Sequence, residues 1–248
     1  MKYNNIQQLL KINHCSLLNL NSTTSTMDEA KKKIKELNSN FVIIANQQTQ
    51  GRGRRGNSWI SPPGNIYLSL VLKNDFPIEQ HYLYSIITLL SIKKTINNYG
   101  CDEILFKWPN DIFFQDKKFG GVLIENINQN NQNNYIIIGL GLNLSSSPNL
   151  KNYNTTFIKK FINLGNEIEF LEFFFINFFK YLNNYYNTKK LLFTEFKKSL
   201  MFLNKKVNIQ IDNNKSITGI FKDIDNEGGL ILNKDNKITH IYSGNILI

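Results

Sequence analysis

Length, composition and charge exclude several classes of protein. The chain has 248 residues, of which 42% are hydrophobic and 19% charged, so we expect a folded protein rather than a disordered or fibrous one. Two cysteines are too few for a disulfide framework or a zinc ligand set, which favours a reducing compartment. The net charge of +10 points only weakly to an anionic ligand or an acidic partner, because most of the lysines are scattered along the chain.

The first half of the chain predicts helices alternating with strands. Thr26 followed by Glu29 is a capping-box pattern, and apolar residues at helical spacing follow it. Apolar runs at 41–45 and 66–72 predict buried strands, and a polar, glycine-rich loop joins them. A further helix is expected over 82–98.

The pattern of the second half predicts more strands, a helical region and a small terminal domain. Strand patterns occupy 104–107, 112–114, 119–127 and 135–144, with a hairpin turn at 115–118 and a solvated Asn/Gln loop at 128–134. Helical signal runs from 157 to 203. Its most apolar part, 170–182, is shorter than the ~20 residues that cross a membrane, so we expect a buried helix and no membrane anchor. Five brief strands follow, as in a small barrel.

All three arginines of the chain lie in one loop, Gly51-Arg-Gly-Arg-Arg-Gly56, whereas the other 26 basic residues are lysines. The 38 Asn, 33 Ile and two Ala suggest a nucleotide bias toward Lys, Asn and Ile codons, so arginine retained here suggests that lysine does not serve. A guanidinium binds carboxylate or phosphate through a planar fork, and glycines let the backbone close around an anion. The sequence therefore favours an anion-binding loop over a solvated basic one.

A second segment, Lys107-Trp-Pro-Asn-Asp111, places an ammonium, an amide and a carboxylate within five residues. Pro109 disfavours a helical residue before it, so the segment is expected to leave a strand as an extended turn. Alone, it is equally consistent with an ordinary turn that carries a Lys–Asp ion pair. The Ser25 and Thr26 hydroxyls are most simply explained as helix caps, and the three histidines show no metal-ligand spacing.

Together these pieces resemble the biotin protein ligases. The matching segments come in that family's order, at 25–30, 48–56, 59–70, 107–111, 118–125 and 139–143. The arginine loop and the Lys-Trp-Pro-Asn-Asp segment are the specific ones. One departure is Asn57, where the family often has another basic residue, and it bears on how the loop closes.

The resemblance implies an α+β fold, with a mixed β-sheet flanked by helices that is related to class II aminoacyl-tRNA synthetases. It predicts a catalytic domain over 1–198 and an SH3-like β-barrel over 199–248. The segment before Ser25 is too short for the winged helix-turn-helix of some members, and no secretory signal precedes it. We therefore expect a monofunctional cytoplasmic enzyme without sequence-specific DNA binding. A homodimer is expected by analogy.

The implied reaction has two steps. Biotin's carboxylate attacks the α-phosphate of ATP, which enters with Mg²⁺, to give biotinyl-5′-AMP. A specific lysine on the biotin carboxyl carrier protein of acetyl-CoA carboxylase or a related carboxylase then attacks this anhydride. Positive charge must offset the repulsion between the two anions of the first step. No protein ligand for Mg²⁺ is assigned.

The resemblance also implies roles for individual residues. Expected biotin-binding positions are Ser25, Thr26, Met27, Gln48, Arg52, Gly53, Arg54 and Lys118. Expected ATP or adenylate positions are Arg52, Arg54, Arg55, Trp59, Lys118 and Asn143. Expected catalytic positions are Lys118, Asp111, Arg52 and Lys107. Asp111 is expected to orient the acceptor ammonium and help take its proton, while Lys107 either holds Asp111 ionised or contacts phosphate.

Two alternatives stay open at this point. A lipoate or octanoate ligase of the same superfamily would use similar adenylate chemistry but needs a more apolar slot than Gln48 and the arginine loop provide. A nucleic-acid-binding basic module is an alternative from another class, and it predicts steeply salt-dependent binding.

Overall fold

The computed structural model of the protein describes residues 3–74, 76–77, 81–129, 133–150, 153–212 and 214–247. The helices are α1 (Asn4–Ile12), α2 (Thr26–Leu37), α3 (Tyr82–Asn97), α4 (Glu167–Asn183) and α5 (Tyr185–Lys198). The first strands are β1 (Cys15–Leu20), β2 (Asn40–Ala45), β3 (Ile66–Lys73), β4 (Ile104–Lys107), β5 (Asp111–Phe114), β6 (Lys117–Gln129) and β7 (Asn133–Leu142). The last are β8 (Lys206–Gln210), β9 (Ser216–Ile224), β10 (Leu230–Lys234), β11 (Lys237–Ile241) and β12 (Asn245–Ile246).

Two sheets organise these elements. The first has the strand order β1-β2-β3-β7-β6-β5-β4, in which β1 and β2 are parallel and the other neighbours antiparallel. The second is antiparallel, with the order β11-β10-β9-β8-β12. The predicted α+β class with a mixed sheet is confirmed. In the described part of the chain the second sheet does not close into the expected barrel, because β11 and β12 do not pair.

Strand alternation gives the first sheet two buried faces, since successive side chains of a strand point to opposite sides. On β2, Phe41 and Ile43 pack with α2, whereas Val42 and Ile44 join the larger core formed with α1, α3, α4 and α5. The apolar helix predicted over 170–182 lies within α4 and contributes a row of buried phenylalanines to this core. Burial on both faces makes the sheet a rigid base for the loops at its ends.

Two local predictions need correction, and two elements were not predicted. The cap of α2 is Ser25, whose Oγ accepts from the Asp28 N–H at 3.4 Å, and the Thr26 hydroxyl is used elsewhere. The Asn/Gln tract at 128–134 is not simply a loop, because β6 runs to Gln129 and β7 starts at Asn133; residues 130–132 lie outside the described ranges. The sequence patterns also gave no assignment for α1 and β1.

The second sheet packs against the first through the turn at 226–229. The Trp108 indole N–H donates to the Gly228 carbonyl at 3.0 Å, and the Tyr82 hydroxyl donates to the Pro109 carbonyl at 2.8 Å. Gly228 has a φ of +83°, and a Cβ there would lie 2.0 Å from the Tyr82 ring, so this contact requires glycine. The domain boundary predicted at 198/199 stays a prediction. No helix among the described residues is long and apolar enough to cross a membrane.

Candidate active site

A buried row of polar side chains begins at the start of α2. The Gln48 side-chain carbonyl accepts from the Thr26 backbone N–H at 2.8 Å and from its hydroxyl at 3.1 Å. The Gln48 amide donates to Ser61 Oγ at 2.9 Å, and Ser69 Oγ donates to Thr26 Oγ1 at 2.9 Å. Ser25, directly before this row, is fully buried. Buried polar groups that are held in one arrangement give a site both donors and acceptors for an amide-like ligand.

A cavity of about 690 Å³ adjoins this row and is lined by residues 47–53 and 56–62. Its volume is that of a typical small-molecule site. Gly51 is required in its wall, because a Cβ there would lie 2.3 Å from the Trp59 carbonyl and 2.9 Å from the Gln48 amide. The cavity therefore joins the polar row to the loop that carries the arginines.

The arginine loop is closed by its own backbone. The Gly53 N–H donates to the Asn57 carbonyl at 2.7 Å, and the Asn57 N–H donates to the Arg54 carbonyl at 3.1 Å. Arg55 and Gly56 between them adopt left-handed conformations, with φ of +55° and +75°. Asn57, the departure from the family pattern, thus closes the loop through main-chain groups that any residue supplies.

Arg52 holds the start of this loop against α2 and the first sheet. Its guanidinium donates to Asp28 Oδ1 and to Glu125 Oε1, both at 2.8 Å, and Lys31 pairs with the second oxygen of Glu125 at 2.6 Å. Asp28 lies in the first turn of α2 and Glu125 on β6. Arg52 is expected to contact ligand, but its fork is engaged here by two protein carboxylates. This geometry makes it an anchor of the loop.

Arg54 and Arg55 reach the second sheet instead. Arg54 donates to the Gly244 carbonyl at 3.3 Å, while Arg55 donates to the Gln210 carbonyl at 3.3 Å and to Ser243 Oγ at 2.8 Å. Burial lowers the pKa of Arg54, and the neighbouring Asp111 partly offsets that effect. All three arginines thus contact protein groups, which disfavours the nucleic-acid module, since such a module needs cations free for phosphate.

The Lys-Trp-Pro-Asn-Asp segment forms the turn between β4 and β5, as predicted, with a cis peptide before Pro109. Its carboxylate pairs outside the segment: Asp111 Oδ1 lies 2.7 Å from Lys118 Nζ, and their side chains are 19% and 12% exposed. The ion-pair partner of Asp111 is therefore Lys118 on β6, while Lys107 acts on Asp111 through its charge, and both expected roles of Lys107 stay predictions. In the antiparallel pairing of β5 and β6, Lys118 lies opposite Phe113, two residues along β5 from Asp111, so the pair bridges the two strands diagonally.

Lys107 is buried beside this pair. It faces Asp111 across the β4–β5 hairpin and lies 5.9 Å from the centre of the Phe113 ring. Desolvation lowers the pKa of Lys107; Asp111 opposes this shift and Lys118 adds to it. Lys107 thus adds positive potential to the site without direct access to solvent.

Trp59 connects the two halves of the site. Its carbonyl accepts from Ser61 Oγ at 2.8 Å, and its ring lies 5.4 Å from Lys118 Nζ. A Cβ at Gly141 would lie 2.6 Å from the Trp59 ring, so the indole can pack against β7 only because this residue is glycine. Trp59 Nε1 is buried without a hydrogen-bond partner among the described residues, and so is Asn143 Oδ1. Such orphaned atoms are expected where a ligand completes the bonding.

The structure brings most of the predicted residues into one region, but three have other surroundings. Met27 belongs to the core and packs over Gly139, while the guanidinium groups of Arg54 and Arg55 reach the second sheet. Sequence reasoning missed several residues that the geometry includes: Asp28, Glu125, Ser61, Ser69, Gly141 and Tyr153, whose ring lies 5.2 Å from Lys118 Nζ. Asp28 and Glu125 stand inside the matching segments, which was the available signal.

Comparisons with known proteins identify the family of this chain. Residues 17–143 match the Biotin/lipoate A/B protein ligase family, and residues 202–248 match the Biotin protein ligase C terminal domain. The Bifunctional ligase/repressor BirA of Escherichia coli (strain K12) is 30% identical over 229 residues, which cover 90% of this chain and 70% of that protein. The Biotin--[acetyl-CoA-carboxylase] ligase of Paracoccus denitrificans is 30% identical over 129 residues, about half of each protein (51% and 53%).

A solved structure gives the same fold. The Biotin protein ligase from Aquifex aeolicus in complex with biotin and ATP superimposes with a TM-score of 0.75 at 23% identity, covering 93% of this chain and 97% of that one. At this identity the likeness concerns the fold alone. The match to BirA extends over most of both chains, and the family match includes every predicted site residue. The chain therefore belongs to the biotin/lipoate A/B protein ligase family.

Proposed function

We propose that this chain is a biotin–protein ligase. It joins biotin to a specific lysine of a biotin carboxyl carrier protein, with ATP as the second substrate and biotinyl-5′-AMP as the intermediate. The carrier belongs to acetyl-CoA carboxylase or a related carboxylase, as the name of the Paracoccus denitrificans relative suggests. This family assignment also agrees with the resemblance found from the motifs alone.

One observation carries the proposal: Trp59 links a polar pocket to a cationic one. On one side, Gln48 and Ser61 carry amide and hydroxyl groups of the kind that a ureido ring binds, and bonds to each other and to Trp59 hold them in place. On the other, Lys118 lies against the indole face, next to Asp111. A molecule with a polar ring at one end and a carboxylate at the other spans this arrangement, and biotin is such a molecule. A lipoyl chain has no polar ring for Gln48 to bind.

In the first step, the ligand carboxylate attacks the α-phosphorus of ATP, a P–O bond forms, and the bond to pyrophosphate breaks. The ammonium of Lys118 is the direct cation for the two anions, and Lys107 adds potential from beneath. Arg54 provides a guanidinium at the same end of the sheet. The orphaned Trp59 Nε1 and Asn143 Oδ1 are the groups we assign to the nucleoside.

In the second step, the acceptor lysine attacks the acyl carbon and AMP leaves. A free lysine has a pKa near ~10.4, so the amine must lose a proton to react. Asp111 is the carboxylate at the site, and we assign it the roles of orienting the acceptor ammonium and helping to take that proton. Its pairing with Lys118 at 2.7 Å must then loosen once Lys118 turns to the adenylate.

Mg²⁺ fits the proposal as an ion that arrives on ATP. Within the described ranges, no group of three or more His, Cys, Asp or Glu is placed to hold a metal ion. Mg²⁺ is commonly held through substrate phosphates and one carboxylate, and it supplies charge neutralisation there. Asp111 is the carboxylate paired with Lys118, the cation that we assign to the carboxylate and phosphate groups of the substrates. A cytoplasmic location, homodimer formation and a lack of sequence-specific DNA binding stay predictions.

The direct experiment mixes the protein with ATP, Mg²⁺, biotin and a biotin carboxyl carrier protein, and follows the mass of the carrier. The proposal expects a mass increase equal to one biotinyl group, only when ATP is present. Lipoate and octanoate in parallel reactions test the sister activity. Carrier that gains mass with lipoate and none with biotin would replace the proposal with lipoylation.

A further inference from the structure

The arginine loop is anchored at two places of unequal strength. Its first anchor is Arg52, which pairs with two charged carboxylates at 2.8 Å. Its second anchor is the set of bonds from Arg54 and Arg55 to two carbonyls and one hydroxyl of the second sheet. A guanidinium binds carboxylates more strongly than neutral oxygens. The second anchor is therefore the end at which the loop releases first.

The acceptor side of this second anchor is firmly fixed. Ser243 and Gly244 precede β12, and Gln210 ends β8, which pairs with β12. A Cβ at Gly244 would lie 2.7 Å from Ile209 and 3.4 Å from the Trp108 ring. Trp108 is itself bonded to the turn of the second sheet. The acceptors are thus held against the first sheet.

The backbone of the loop also depends on this anchor. Arg55 is a non-glycine residue in the left-handed region, which is unfavourable and persists where surrounding contacts fix it. The contacts made by the Arg55 side chain are those with Gln210 and Ser243. Their loss would leave the left-handed turn at 54–56 held only by the backbone bonds of Asn57 with Gly53 and Arg54.

We propose that the second sheet is a dock for the arginine loop, with Ser243 as a positioning residue that slows the loss of biotinyl-AMP. This inference rests on the proposed function. The adenylate is hydrolysable and must be kept from water until the carrier arrives, so an ordered loop lengthens its lifetime. Ser243 acts on the intermediate only through Arg55, since its contact is with that guanidinium at 2.8 Å.

The test uses the full chain and changes the charge at Ser243. Each variant is loaded with radiolabelled biotinyl-AMP made from biotin, ATP and Mg²⁺, and loss is followed after a chase with unlabelled intermediate. Ser243→Lys repels Arg55 and should speed the loss about tenfold, and Ser243→Ala about threefold. Ser243→Asp should slow it about threefold, and the effects of charge should shrink at high salt. Opposite effects of opposite charges distinguish positioning from general destabilisation.

Thr239 supplies matched controls. It is exposed on β11, at the opposite edge of the sheet from β12, so Thr239→Lys and Thr239→Asp should lose the intermediate at the wild-type rate. Equal rates in all Ser243 variants, or a change in the same direction for both charges, would overturn the dock.

A second measurement keeps the dock testable if the proposed function fails. Hydrogen exchange at residues 51–57 of the ligand-free protein should be about threefold faster in Ser243→Lys than in wild type, with no change in Thr239→Lys. Wild-type protein that makes no adenylate would refute the proposed function. Unchanged exchange in Ser243→Lys would refute the dock, whatever the activity.

Discussion

Two ion-pair systems with the same chemistry occupy different environments in this protein. Lys118 and Asp111 lie on neighbouring strands, 12% and 19% exposed, whereas Arg52 pairs from a loop with Asp28, and these two side chains are 35% and 42% exposed. Interactions between charges are stronger where water is excluded, and exposed pairs contribute little to stability. We infer that the buried pair takes part in the reaction, whereas the exposed pair, which Glu125 reinforces, holds the loop.

Replacement of Asp111 should have the largest effect. Asp111→Ala removes the carboxylate that we assign to the acceptor amine, so transfer to the carrier should fall about 100-fold, within the range for a lost acid–base group. Binding of biotin or ATP should stay detectable. Transfer is measured with preformed biotinyl-AMP, which separates the second step from the first.

Asp116 is the control for that experiment, because it is exposed in the turn between β5 and β6. Asp116→Ala should transfer at the wild-type rate. Intact transfer in Asp111→Ala would remove Asp111 from the mechanism and with it the reactive role of the buried pair.

Arg54 tests whether the loop needs a guanidinium or only a charge. Arg54→Lys keeps the charge but loses the fork, including the bond to the Gly244 carbonyl, so retention of biotinyl-AMP should weaken about tenfold. Arg54→Met removes the charge as well and should weaken retention further. Equal retention by Arg54→Lys and wild type, measured by dilution of the labelled complex, would contradict the reasoning from arginine placement.

The sequence predicted the parts of this site that depend on local pattern. Apolar runs gave the strands that end at Lys107 and begin at Ile66, and Pro109 gave the turn after Trp108. The resemblance gave the family, which the comparisons confirm, and it grouped Gln48 with Lys118 although 70 positions separate them.

The remaining features depend on contacts between distant segments. Arg54 and Arg55 bond to residues 155 to 190 positions away, and no local periodicity encodes such pairing. Thr26 matched a capping pattern, yet its hydroxyl bonds to Gln48 because Gln48 lies opposite it in the fold. The Thr26 hydroxyl could bond locally to the helix backbone or to Gln48, and only the three-dimensional fold decides between them.

Lys107 separates stability from activity at the buried pair. Lys107→Met removes a charge whose burial is unfavourable and leaves Asp111 paired with Lys118, so the free energy of unfolding at pH 7 should rise by about 1 kcal/mol while turnover falls. Because burial lowers the pKa of Lys107, the unfolded chain binds more protons between that lowered pKa and ~10.4.

The pH dependence of that variant follows from the sign of the shift. Wild-type stability should increase with pH across this window, as Lys107 in the folded protein loses its proton, and the advantage of Lys107→Met should shrink accordingly. Urea unfolding of wild type and of Lys107→Met at pH 7 and pH 9.5 measures the free energy of unfolding of each protein. A variant less stable than wild type at pH 7 would show that Asp111 fully compensates the buried ammonium.

The exposed pair should give the smallest effect. Asp28→Asn removes one of the two carboxylates of Arg52, while Glu125 still holds the guanidinium, so biotin affinity should fall only about threefold, as for an exposed ion pair. Asp28 also lies in the first turn of α2, where any lost negative charge weakens the helix. Glu29→Gln in the same turn controls for that, since it leaves Arg52 untouched. The difference in biotin affinity between the two variants is measured by calorimetry. It should vanish at about 1 M salt, where the screening length is ~3 Å. A salt-independent loss of 100-fold in Asp28→Asn would mean that the loop pair is as critical as the buried one, and the distinction between reacting and holding pairs would fail.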